Sequence, residues 1–146
     1  MSLELVLVFA LASPPSATAL QAALDRQSIP VHISSGNDLH RHTGFLPLEY
    51  EARTTGFYVN HSTYEDLVSD YPQARIAGQA ANAVVSLAWG ADFLECASAF
   101  QVATVLVSEF GAKAFDTESA RYISLKDVKA GAVDCYEMSK KRQAPR

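Results

Sequence analysis

Between Asp92 and Gly111 the chain is apolar at helical spacing on most sides. Phe93, Leu94, Ala97, Phe100, Ala103, Val107 and Phe110 recur, and only Glu95, Ser98, Gln101 and Ser108 form a polar stripe. A helix of this kind is stable only when it is packed on more than one surface. Other elements must therefore surround it. Asp92 is placed to cap its start, with Glu95 three positions on, and Gly111 to stop its end.

The chain has the material to build those surroundings. Its 146 residues correspond to one domain, expected over 1–138, with 139–146 as a basic C-terminal tail. Apolar residues make up 49% and charged residues 19%, which excludes a disordered chain. No apolar run approaches the ~18 residues of a membrane span.

Strands are read at Leu3 to Leu11, Val31 to Ser34, Thr55 to His61, Ala83 to Trp89, Ala112 to Phe115 and Arg121 to Ser124. Ser13-Pro14-Pro15 stops the first and opens a helix with Leu20, Ala23 and Leu24 inward. Ser62-Thr63-Tyr64-Glu65 reads as a capping box for a short helix to Asp70, ended by Pro72. Gly78 to Asn82 is a polar connection. Ser124 caps a final helix to about Lys141, which Gly131 weakens by ~1 kcal/mol. Residues 35–54, with Gly36, Asn37, Gly44 and Pro47, read as a long loop. Several connections are too short for parallel crossovers. The expected class is α+β, a mostly antiparallel sheet packed with helices in the order β-α-β-β-α-β-α-β-β-α.

The net charge is −4, unevenly spread. Residues 1–138 hold eight basic and sixteen acidic side chains, while Lys140, Lys141, Arg142 and Arg146 make the tail basic. An acidic body disfavours nucleic acid and suits a basic protein partner. The tail reads as a frayed terminus. The Leu5 to Ala12 run lacks a preceding Lys or Arg and has Glu4 instead, so a cytoplasmic protein is expected. Cys96 and Cys135 would then be reduced, as buried inert thiols.

Signatures of chemistry are few. If residues 38–42 are extended, Asp38, His40 and His42 share a face and form a weak metal-ligand set. There is no Gly-x-Ser-x-Gly elbow, Walker loop or Gly-x-Gly-x-x-Gly. Glu49 and Glu51 would share one face of an extended segment. Asp92 and Glu95 are better explained as a helix cap. Trp89 ends a strand beside Gly90, as a core residue or as the lining of a cleft.

Three segments carry a resemblance: Thr43-Gly44-Phe45-Leu46-Pro47, Trp89-Gly90-Ala91-Asp92 with Glu95, and Gly111-Ala112-Lys113-Ala114-Phe115-Asp116. Over roughly residues 40–125 the chain resembles a group of small bacterial α+β proteins. Some of that group look like immunity proteins encoded beside polymorphic or type VI secreted toxins. Leu48 and Ala91 stand where many relatives have Met and Gly. The resemblance implies stoichiometric binding of a cognate toxin, with no catalytic group and no cofactor. On loop position and chemistry, the candidate contacts are Asp38, Phe45, Glu49, Glu51 and Trp89. The rival expectations are a small metal- or metabolite-binding protein or enzyme, using the Asp38, His40 and His42 loop or a pocket around Trp89 and Gln101, and a homodimer joined through an exposed strand.

Overall fold

The structure is a computed structural model that describes residues 3–34, 36–78 and 81–143. Among them, seven strands form one antiparallel sheet: β1 (Leu3–Phe9), β2 (Val31–Ile33), β3 (Gly44–Tyr50), β4 (Arg53–Ser62), β5 (Ala83–Trp89), β6 (Ala112–Asp116) and β7 (Arg121–Ile123). Their spatial order is β2-β3-β4-β5-β1-β6-β7. The helices are α1 (Ala17–Arg26), α2 (Tyr64–Asp70), α3 (Phe93–Glu109) and α4 (Leu125–Gln143), with a 3-10 turn at Pro72–Ala74. The class is α+β.

The sheet's two faces are covered unequally. On one, α1, α3 and α4 close a continuous core over Leu5, Leu7, Phe9, Leu46, Phe57 and Leu87. On the other, α2 and the 3-10 turn cover only Val6, Val8, Val84 and Phe115. Strands β1 and β5 pass between both covers and read as near-continuous apolar runs. The Asp92–Gly111 segment is α3 as expected. Asp92 accepts the Leu94 and Glu95 N–H groups at 2.8 and 3.1 Å.

Several boundaries differ from the sequence reading. The 35–54 loop contains β3, whose GFLPLEY alternates exposed and buried side chains. Pro47 and Gly44 disguise it. By register, Pro47 lies on the bonding edge that faces β2, one step past the last β2 residue, so its missing N–H removes no ladder bond. Glu51 and Ala52 form a two-residue hairpin turn with φ of 51° and 64°. The α1 cap is Ser16, not the prolines, and the α2 cap is Thr63, not Ser62, which is the last residue of β4. Residues 79 and 80 of the expected polar connection, and Arg146 of the tail, lie outside the described residues. Lys140, Lys141 and Arg142 are not frayed but form the last turn of α4, where cations suit the carbonyl end of the helix.

The cysteines require a correction. Cys96 of α3 and Cys135 of α4 are joined in a disulfide, with Cα atoms 5.8 Å apart. Each helix turns its cysteine toward the other, which a linear reading of two separate helices could not show. Gly131 has a reason in the same seam. A Cβ there would come within 2.6–3.0 Å of the Phe100 ring, so glycine lets α4 approach α3.

Candidate functional site

The part of the sheet that no helix covers presents a row of exposed side chains. Strand alternation sends Phe45, Pro47 and Glu49 of β3, Thr54, Tyr58 and Asn60 of β4, and His32 of β2 to this face. Register places Phe45 opposite Tyr58, Glu49 opposite Thr54, and His32 opposite Glu49. Phe45 is 40% exposed and Tyr58 50%, and their rings meet edge-on at 5.2 Å. The Phe45 ring lies over Gly56. A Cβ at Gly56 would run into the Leu46 carbonyl and come within 2.6 Å of Phe45 Cζ. The missing side chain at Gly56 thus leaves the room that the Phe45 ring occupies.

The five expected contact residues do not form one site. Phe45 and Glu49 share the open face. Asp38 instead accepts the Ala17 N–H at 2.6 Å and helps start α1. Glu51 sits in the hairpin turn, where it accepts the Tyr136 hydroxyl and lies 3.6 Å from Arg53. That contact holds the β3–β4 turn to α4, and it raises the Tyr136 phenol above its ordinary value. Since the chain turns at Glu51, Glu49 and Glu51 do not share an extended face. Trp89 is buried, 4% exposed, and tilted against Phe100 at 5.4 Å.

The Asp38, His40 and His42 set also fails to assemble. Residues 38–42 form a turn, with the Asp38 carbonyl accepting the Arg41 and His42 N–H groups at 3.1 and 2.9 Å. His42 Nε2 donates to the Phe45 carbonyl at 2.7 Å, and His61 Nε2 to the His42 carbonyl at 2.8 Å. Both rings therefore fasten the loop before β3. Among the described residues no group of three or more His, Cys, Asp or Glu side chains could hold a metal ion.

Tyr58 is the residue that sequence reasoning passed over. The signal was present, because Phe57 and Val59 inward on a strand force Tyr58 outward. A second unanticipated feature guards the β2 edge. Gln21 of α1 donates to the Val31 carbonyl at 3.0 Å and accepts the Ile33 N–H at 2.7 Å. Its amide thus occupies the edge bonds that a second copy would need for strand pairing at β2.

No helix among the described residues is long and apolar enough to cross a membrane. Comparison with protein-family models, with curated proteins and with solved structures finds no match.

Proposed function

We propose that the chain is a non-catalytic binding protein of the immunity type, which neutralises a cognate bacterial toxin by covering it. The observation that carries this reading is the open half-sheet with its Phe45–Tyr58 pair. Rigid aromatic side chains on a flat face, rimmed by polar groups, are the usual anchors of protein interfaces. Glu49 on the same face and the acidic body complement a basic partner. A stable complex would bury about 1,200–2,000 Å², more than this pair alone supplies, so the surrounding β3 and β4 residues take part.

The compartment is a separate point. A cytoplasmic encounter is the reading taken from the sequence, whereas the Cys96–Cys135 disulfide favours an oxidising space. Thiol blocking at the moment of lysis decides between them. Blocked thiols support the cytoplasm, and a protected disulfide supports the oxidising compartment.

The functional test is rescue. Cells expressing a toxin encoded next to this chain should survive when the chain is co-expressed, and the two proteins should co-purify in a one-to-one ratio. The Phe45→Ala/Tyr58→Ala variant should fold, lose the complex and lose protection. Protection that survives the double variant would remove the open face from the interface. Failure of the wild-type chain to protect or co-purify would end the immunity reading.

A further inference from the structure

The disulfide and the β3–β4 turn meet through one side chain of α4. That helix packs chiefly on α3, and its fully enclosed apolar side chains, Val128 and Ala132, lie before Cys135. After Cys135 the helix is mostly exposed. Ser139 is enclosed there, but its hydroxyl bonds back to the Tyr136 carbonyl at 2.7 Å, within the same helix. This last part is tied down by the bond to Cys96, by Tyr136, and by Arg142 over the Phe93 ring at 5.5 Å. A helix end with so little buried surface opens cheaply once its tertiary ties are lost.

Tyr136 follows Cys135 directly, so the disulfide fixes where its ring goes. The ring stacks on Tyr50 at 5.4 Å and its hydroxyl donates to Glu51. Tyr50 ends β3, and Glu51 is the first residue of the β3–β4 turn.

That turn needs support from outside. Glu51 and Ala52 both carry positive φ, 51° and 64°, a geometry that favours Asn and Gly. A Cβ is crowded there, so contacts from elsewhere must hold the conformation. The Glu51 N–H donates to the Pro30 carbonyl at 2.9 Å, and its carboxylate accepts the Tyr136 hydroxyl with Arg53 3.6 Å away. The disulfide behind Tyr136 is reachable. Both cysteines line a cleft of about 420 Å³ that opens to solvent, and Cys135 is only half-buried.

We propose that the Cys96–Cys135 disulfide is a redox latch that clamps the strained β3–β4 turn through Tyr136. A dithiol reductant opens it by thiol–disulfide exchange. One thiolate of the dithiol attacks a disulfide sulfur, the Cys96–Cys135 bond breaks, and the departing cysteine takes a proton. The second thiol resolves the mixed disulfide. The protein gains two electrons and two protons, and the dithiol is oxidised to its own disulfide. The end of α4 then leaves α3, Tyr136 leaves Glu51, and the turn relaxes. Phe45 and Tyr58 stand on the two strands that this turn joins, so the latch also sets the order of the open face. Control of partner binding through that face rests on the function proposed above. The latch itself does not, and it is tested on the isolated chain.

Hydrogen exchange read by mass spectrometry would compare the full chain before and after millimolar dithiothreitol. Reduction should add two hydrogens to the mass of the folded protein. Peptides covering 135–142 and 50–53 should then exchange at least about tenfold faster, while β1 and β5 stay unlabelled over the same exposure. With the disulfide intact, Tyr136→Phe should speed exchange in 50–53 and leave 137–142 protected. Ala52→Gly accepts positive φ without strain, and should keep 50–53 slow after reduction although 135–142 still opens. A folded chain whose disulfide resists the dithiol overturns the proposal. So does exchange that reduction leaves unchanged. Labelling of β1 and β5 together with the two segments also overturns it, because the opening would then be global. A turn that opens equally in Ala52→Gly, or stays closed in Tyr136→Phe, breaks the link through Tyr136. Should either variant fail to fold, the oxidised and reduced wild-type chains still decide.

Discussion

Phe57 and Tyr58 are neighbours in β4 and lie on opposite faces of the sheet. Phe57 is fully enclosed within the core that α1, α3 and α4 close, while Tyr58 is half exposed against Phe45. The contrast runs through the molecule. The closed face is a continuous core stapled by a disulfide. The other face has a small cover at one end and is bare over β3 and β4. Where a face is covered, packing decides the residue. Where it is bare, an aromatic pair persists without a core to explain it, which is why the bare region is the candidate interface.

The sharpest way to break the comparison is within β4 itself. Phe57→Ala should cost about 3–5 kcal/mol in denaturant unfolding. A loss under about 1 kcal/mol would mean that the closed face is not one core.

The staple comes next. Cys96 and Cys135 are 39 residues apart, and for a loop of that size chain entropy alone is worth about 4 kcal/mol. The Cys96→Ser/Cys135→Ser variant should lose up to that amount, read as a lower urea midpoint. No loss would show that α4 is held by packing alone.

Gly131→Ala tests the helix seam. Alanine gains about 1 kcal/mol of helix propensity, but its Cβ meets the Phe100 ring, and overpacking costs about 1–3 kcal/mol. A net destabilisation is expected. A net gain would mean that the ring moves aside freely.

The small cover can be read through pH. Tyr122 donates to the Ala74 carbonyl at 2.6 Å, and burial pushes its phenol up to about 12. The unfolded chain therefore gives up this proton first, from about pH 10, and stability falls between pH 10 and 12. Tyr50 and Tyr136 are shifted in the same direction. Tyr122→Phe should flatten part of that alkaline limb in urea midpoints measured across it. An unchanged limb would assign it to the other tyrosines.

The smallest stability effect belongs to the bare face. Tyr58→Ala should stay within about 1 kcal/mol of wild type, since the side chain is already half in water. Its effect is expected in partner binding. A loss comparable to that of Phe57→Ala would make Tyr58 structural and remove the contrast.

Much of this architecture was legible from local pattern. The runs in β1 and β5, the α3 periodicity and its Asp92 cap are written in contiguous residues, and they led to an antiparallel α+β class. Strand β3 was hidden because Gly44 and Pro47 are loop signals, and only the register against β2 and β4 makes them harmless. The site was legible in part. Of the expected contacts, Phe45 and Glu49 lie on the exposed strand face, whereas Asp38 and Glu51 are engaged elsewhere and Trp89 is buried.

The sequence by itself determined which segments must be buried and which fold class could bury them, because those signals act between residues a few positions apart. Tertiary structure alone decided that Cys96 meets Cys135, that Glu51 meets Tyr136 across 85 positions, and that α2 covers only one end of its face. Such meetings depend on how helices dock on the sheet, and docking is settled by the summed packing of distant surfaces, which no local pattern records.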